Sequence, residues 1–185
     1  LSDRIRELMV GCGFQELFLP ILCARDNLTT RLRNPDEAVV EIENPMSDSY
    51  SAVRNSLLPG LLRVASVSRR AIYPHRIFEV GEVAVIAPEE DYGCLTQVRL
   101  AAVEASSEAN LSGIQSHLEA LAYFLRVDYS LNAIDHPSFL PGRAGEICKA
   151  GTPYGIIGEI HPEVLEMWGI GVPVSAFEVD IRIAE

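Results

Sequence analysis

Two stretches rich in β-prone residues, "RIFEVGEVAVIA" over 76–87 and "TQVRLAAVEA" over 96–105, flank the acidic, glycine-containing segment 88–95. A connection that short leaves room only for a hairpin loop, because a parallel crossover needs about a dozen residues or more. The pair is therefore read as antiparallel, and the rest of the chain must be built around it. Further strands are read at 39–43, at about 127–133, at 144–149 and at 154–160, with the turn Gly151-Thr152-Pro153 between the last two. In the final strand Phe177, Val179, Ile181 and Ile183 alternate with Glu178, Asp180 and Arg182, so the two sets point to opposite faces.

Helical periods separate these strands. Ile5, Leu8, Met9 and Cys12 recur at helical spacing behind Ser2, a candidate cap, and Gly13 ends a first helix over 2–12. Residues 14–22 read as extended, with Pro20 marking an edge or a bend, and 25–38 as polar and turn-rich. Leu111, Ile114, Leu118, Leu121 and Leu125 repeat in steps of three and four, which predicts a helix over 110–126. A short helix opens at Pro162 and stops at Gly169. Helices inserted between groups of hairpin-joined strands, without regular βαβ alternation, define an α+β class. The sheet is mainly antiparallel and flanked by helices, and residues 1–185 form a single domain.

The stretch "ENPMSDSYSAVRNSLLPGLL", 43–62, leads from a strand into a helix. Asn44-Pro45 forces a turn, since the proline ring biases Asn44 away from the α region. Ser56 is placed as an N-cap, and Pro59 falls in the first helical turn, where a missing N–H costs little. Leu58, Leu61, Leu62 and Ala65 make the apolar stripe, and Arg69 and Arg70 suit the negative end of the helix. The reading is a structural joint of Arg54, Ser56, Leu57, Leu58 and Pro59. Arg54 anchors it by hydrogen bonds to carbonyls or to a carboxylate, above a core filled by Leu57, Leu58 and Leu61.

Charge and composition narrow the partners. Apolar residues make up 48% of the 185, enough for a substantial core, and no apolar run approaches the roughly 18–20 residues of a membrane span. The net charge is −11, unevenly spread: residues 1–76 hold ten of the fifteen basic side chains and nine of the twenty-six acidic ones. The remaining five and seventeen make residues 77–185 a poor surface for a phosphate backbone, so any RNA contact falls to the arginines of the first part. Cys12, Cys23, Cys94 and Cys148 are far apart with no C-x-x-C pair, which favours free thiols in a reducing compartment over zinc or disulfides. The chain does not begin with Met and is read as part of a longer polypeptide.

No catalytic constellation emerges from the residues. A glycine-rich phosphate loop is absent, and "GIGVP" over 169–173 reads as a helix C-cap leading into a strand. His136-Pro137 and His161-Pro162 each put an imidazole at an element boundary, where it can cap a turn, and His75 and His117 are too far away in sequence to suggest a metal set. Ser56 beside Arg54 lacks any nucleophile elbow. The prediction is that no residue here is catalytic and that none binds a cofactor or a metal.

Five segments in order, "VEIENPMSDSYSAVRNSLLPGLL", "HRIFEVGEV", "HPSFLPGRAGEI", "GIIGEIHPEVLEMWGI" and "PVSAFEVDI", resemble the β subunit of phenylalanyl-tRNA synthetase, in its archaeal and eukaryotic form. The likeness implies a class II aminoacyl-tRNA synthetase-like fold that has lost its active site. It also implies that a partner α subunit carries ATP, phenylalanine and aminoacyl transfer to tRNA(Phe). The assembly is then a cytoplasmic α2β2 heterotetramer, with ATP and Mg2+ used by the whole enzyme and not by this domain. Class II motif 2 has the form Phe-Arg-x-Glu. Placing its glutamate at Glu79 puts Ile77 where the phosphate-binding arginine belongs, and Arg76, one residue off on a strand, points to the opposite face. Motif 3 has no counterpart.

The same resemblance assigns the first helix to the motif 1 region, which builds subunit contacts in that class. Ile5, Leu8, Met9 and Cys12, or the flanking Phe14, Leu17 and Phe18, are accordingly expected to lie partly exposed as an interface for α. Such a surface would let the isolated domain self-associate.

Overall fold

The computed structural model describes residues 1–68 and 71–184. Its elements run α1 (Ser2–Gly11), β1 (Gln15–Glu16), β2 (Leu22–Cys23), α2 (Arg25–Leu28), β3 (Val40–Glu41), β4 (Ala52–Val53), α3 (Leu58–Val67), β5 (His75–Ile86) and β6 (Cys94–Ala105). They continue with α4 (Leu111–Leu125), β7 (Ser130–Ala133), β8 (Phe139–Lys149), β9 (Thr152–Ile160), α5 (Pro162–Trp168) and β10 (Val174–Asp180). Single 3₁₀ turns occur at Thr30–Leu32, Asp48–Tyr50 and Ile181–Ala184.

The β5–β6 hairpin pairs in unbroken antiparallel register from His75 opposite Ala105 to Ile86 opposite Cys94. Around it grows a seven-stranded sheet of order β1-β5-β6-β10-β9-β8-β7, and a small three-stranded sheet β2-β4-β3 stands beside it. The fold is thus α+β. The large sheet is mixed rather than wholly antiparallel, because β1 runs parallel to β5, with Gln15 opposite Ile77. Physically, the chain reaches β5 only after crossing over through the small sheet and α3, and such crossovers are what join parallel neighbours.

Helices cover both faces. Phe78, Val80, Leu100, Ala102, Phe177 and Val179 meet α1 and α4 through Ile5, Met9, Ile114 and Leu118. The other face sets Ile77, Ala101, Val103 and Ala176 against Leu58, Leu61 and Leu62 of α3 and Val164 and Trp168 of α5. Phe78 and Phe177 are fully buried, each worth about 1.5–3 kcal/mol of burial.

Central position changes the character of β10. It lies between β6 and β9, and all seven of its residues are buried, including Ser175, Glu178 and Asp180. The predicted strand running on to Ile183 stops at Asp180, and Ile181 and Ile183 close the first core from a 3₁₀ turn. Capping also departs from the local reading. α1 begins at Ser2 with Leu1 at its cap position and no side-chain cap, whereas Gly13, with φ +84°, does end that region. Asn110 caps α4 by accepting from the Gly113 N–H at 2.9 Å, and Gly169 terminates α5 in the left-handed region. The predicted pairing of Arg69 and Arg70 with the end of α3 lies outside the described residues.

Candidate functional site

The joint is built from the backbone outward. The Arg54 N–H donates to the Ile21 carbonyl at 3.0 Å, and the Arg54 carbonyl accepts from Ala84 N–H at 2.9 Å, so one residue links the small sheet to β5. Its guanidinium is buried. Nε donates to the Glu82 carbonyl at 2.9 Å, while Nη1 donates to the Leu19 carbonyl at 3.3 Å and to Glu79 Oε1 at 2.9 Å. Glu79 Oε1 also accepts from the Leu19 N–H at 3.2 Å. Glu79 Oε2 is buried with no partner among the described residues, and burial pushes this carboxyl up, against the pull of Arg54. A Cβ at position 81 would run into the Arg54 guanidinium, so a larger residue there would displace the anchor.

A second buried carboxylate seats the following helix. Glu178 Oε2, projecting from β10, accepts from Ser56 Oγ at 2.7 Å, from Leu57 N–H at 3.0 Å and from Leu58 N–H at 3.2 Å. Ser56 is therefore not the sole N-cap that its position predicts. Leu57 occupies the cap position, and the anion that satisfies the free N–H groups comes from another strand. Ser56 Oγ assists, accepting from Leu58 N–H at 3.2 Å, and Pro59 sits in the first turn. Glu178 Oε1 accepts from Arg99 Nη1 at 3.0 Å, and that same Nη1 donates to the Asn55 carbonyl at 3.2 Å.

These residues form one wall of a cleft of about 570 Å³ over the sheet. Four carboxylates line it, those of Glu37, Glu146, Glu178 and Asp180, against the two guanidinium groups of Arg99 and Arg182. Internal partners occupy all of them. Asp180 Oδ2 accepts from Arg182 Nη2 at 2.6 Å, Glu37 accepts from Asn34 and Asn55, and Glu146 accepts the Cys148 thiol at 3.3 Å. With more acids than cations, the cleft opposes a triphosphate.

Ile77 is fully buried in the core beneath α3, two residues from Glu79 on the same face of β5. Arg76 faces the other way. Its Nε donates to Glu104 Oε2 at 2.6 Å, and His117 Nε2 lies 3.3 Å from the same oxygen. Burial first, and Arg76 second, push the His117 pKa down.

The two His-Pro histidines act locally: His136 Nδ1 accepts from Ser138 N–H, and His161 Nδ1 accepts from Glu163 N–H to cap α5. Among the described residues no group of three or more His, Cys, Asp or Glu could hold a metal ion, and no helix is long and apolar enough to cross a membrane. The four cysteines are free thiols, with Cys148 buried and the others half-buried.

The expected interface stripe is largely turned inward. Ile5, Met9 and Phe14 are buried in the first core, and Leu8 and Cys12 pack half-buried against it, because α1 lies on β5 and α4. Leu17 packs against the second core, and Phe18 alone of the set is open, at 93% exposure.

Fold and site together define an α+β domain whose buried charged groups hold its own elements in place. The family it belongs to follows from comparison. The family described as "Phenylalanyl tRNA synthetase beta chain CLM domain" matches residues 1–181, and the chain is a member of it. The phenylalanine--tRNA ligase beta subunits of Treponema pallidum subsp. pallidum and Thermococcus sibiricus are each 40% identical over 181 residues. That of Pyrococcus abyssi is 41% identical over the same length. Each match covers 98% of this chain but only 30%, 32% and 33% of those relatives, so the chain spans about a third of their length.

Proposed function

We propose that this chain is the non-catalytic core domain of a phenylalanyl-tRNA synthetase β subunit, with a class II synthetase-like fold. Its work is to support assembly with a catalytic α subunit, as an α2β2 heterotetramer in the cytoplasm, for ATP-dependent phenylalanylation of tRNA(Phe). The observation that carries this reading is Ile77, a fully buried hydrocarbon side chain where the aligned motif needs a phosphate-binding arginine. The neighbouring Glu79 is turned into Arg54. Without that arginine nothing neutralises the charge developing at the α-phosphorus. ATP, Mg2+ and tRNA then belong to the whole enzyme.

The cleft favours a second reading, a small-molecule-binding regulatory domain derived from the same fold, and a competent ligase-like enzyme is a third. Phenylalanine-dependent exchange of pyrophosphate into ATP separates them, together with calorimetric titration of ATP and of phenylalanine. The proposal expects no exchange, no heat from phenylalanine with or without ATP, and co-purification with a cognate α subunit. Exchange in a preparation free of host synthetase overturns it, and saturable binding of phenylalanine alone selects the regulatory reading.

A further inference from the structure

Most arginines in the basic first part of the chain face a carboxylate. Arg6, Arg25, Arg33, Arg54 and Arg76 are each within 2.9 Å of one, and Arg31 is a looser 3.6 Å from Asp26. Arg4 donates to the Phe124 carbonyl. Arg63, exposed on α3, differs: its guanidinium makes no hydrogen bond or ion pair with any described residue. It shares a cavity of about 500 Å³ with Arg31 and Arg54, and among the described residues Asp26 is the single carboxylate in the lining. Asp26 beside Arg31 and Glu79 beside Arg54 offset two of the three, so Arg63 supplies the uncompensated positive charge of this wall.

Two of these cations are held in place before any ligand arrives. Arg54 is fixed by Glu79 and two carbonyls. The Arg31 guanidinium lies 4.8 Å over the Trp168 ring, and the Trp168 indole donates to the Arg31 carbonyl at 3.2 Å. Stacking occupies the face of a guanidinium and leaves its N–H edges available in the plane. Cys23 is in the wall, and burial pushes its thiol up to about 11 despite Arg54 and Arg63, so it stays neutral and does not compete for the cations.

We infer that this cavity binds a phosphate group, held by the uncompensated Arg63 and by an N–H edge of Arg31, with the ion-paired Arg54 fixing the wall beside them. A phosphate presents several oxygens to more than one guanidinium, whereas one arginine fork already satisfies a carboxylate. The phosphate is carried either by a free nucleotide or by an exposed RNA backbone, and both use the same contacts.

The test is thermal melting of the full chain in inorganic phosphate, against chloride and acetate at matched ionic strength. It compares the natural chain with Arg63→Glu and with Arg143→Glu, an exposed arginine of β8 outside the cavity. General salting effects of phosphate act on all three alike. At roughly ten times the dissociation constant, the natural chain and Arg143→Glu should gain about 3–6 °C over chloride, and Arg63→Glu should lose that gain. AMP and a twelve-nucleotide single-stranded RNA then identify the source. A melting gain with AMP alone points to a nucleotide, and phosphate-competed RNA binding abolished by Arg63→Glu points to a backbone. Equal gains in all three proteins, or the same gain from acetate, overturn the proposal.

Discussion

At the scale of single residues, Arg54 shows how far a local reading reaches. Sequence alone predicts an anchor there and values it as one charge-assisted hydrogen bond, about 1.5–3 kcal/mol. It does not name Glu79 as the partner, because the register of the joint on β5 is set by tertiary packing. The structure makes Arg54 one half of a buried ion pair. Removing one member of such a pair strands the other charge, at a cost of about 3–5 kcal/mol. Arg54→Ala should therefore lose about that much in urea unfolding, while Arg54→Ala combined with Glu79→Leu should recover a large part of it. A single variant no less stable than Arg143→Ala, or a double variant worse than the single, contradicts this account.

The elements written in local patterns are the ones the sequence discloses. The β5–β6 hairpin, α4 and α5 carry their own periodicity and end signals, and the structure places them within a few residues of the predicted bounds. The N-terminus of α3 does not. Its cap is a carboxylate from the last strand, and no local pattern announces a contact between Ser56 and Glu178. The consequence is an order of effects. Ser56→Ala removes one of the two acceptors of Leu58 N–H and should cost about 0.5–2 kcal/mol. Glu178→Ala leaves the buried Leu57 and Leu58 N–H groups and Arg99 without their anion, and should cost on the order of 3 kcal/mol or more. Amide exchange at Leu57 and Leu58, read beside urea unfolding, should speed up more in Glu178→Ala. The reverse order would return the cap to Ser56.

For the whole molecule, the parallel pairing of β1 is the feature least legible beforehand, since two residues carry no period and their partner follows a long crossover. Under the proposed assembly with α, that edge is also a candidate docking surface. The stripe of α1 is consumed by the chain's own core, so a charge at half-buried Leu8 would damage the fold as well as any interface. Phe18, just after edge strand β1, is 93% exposed, and Ile21 and Leu22 nearby are 43% and 41% exposed. Under the proposed assembly with α, burying the Phe18 ring supplies about 1.5–3 kcal/mol, and each 1.4 kcal/mol is roughly a tenfold change in affinity. Phe18→Glu should leave the melting temperature within about 1 °C of the natural chain, since it removes no intramolecular packing. It should weaken binding to a cognate α subunit at least about tenfold, and weaken any self-association seen by sedimentation. Natural affinity for α in a folded Phe18→Glu protein would remove this edge from the interface and return the search to the half-buried Leu8, Cys12 and Leu17.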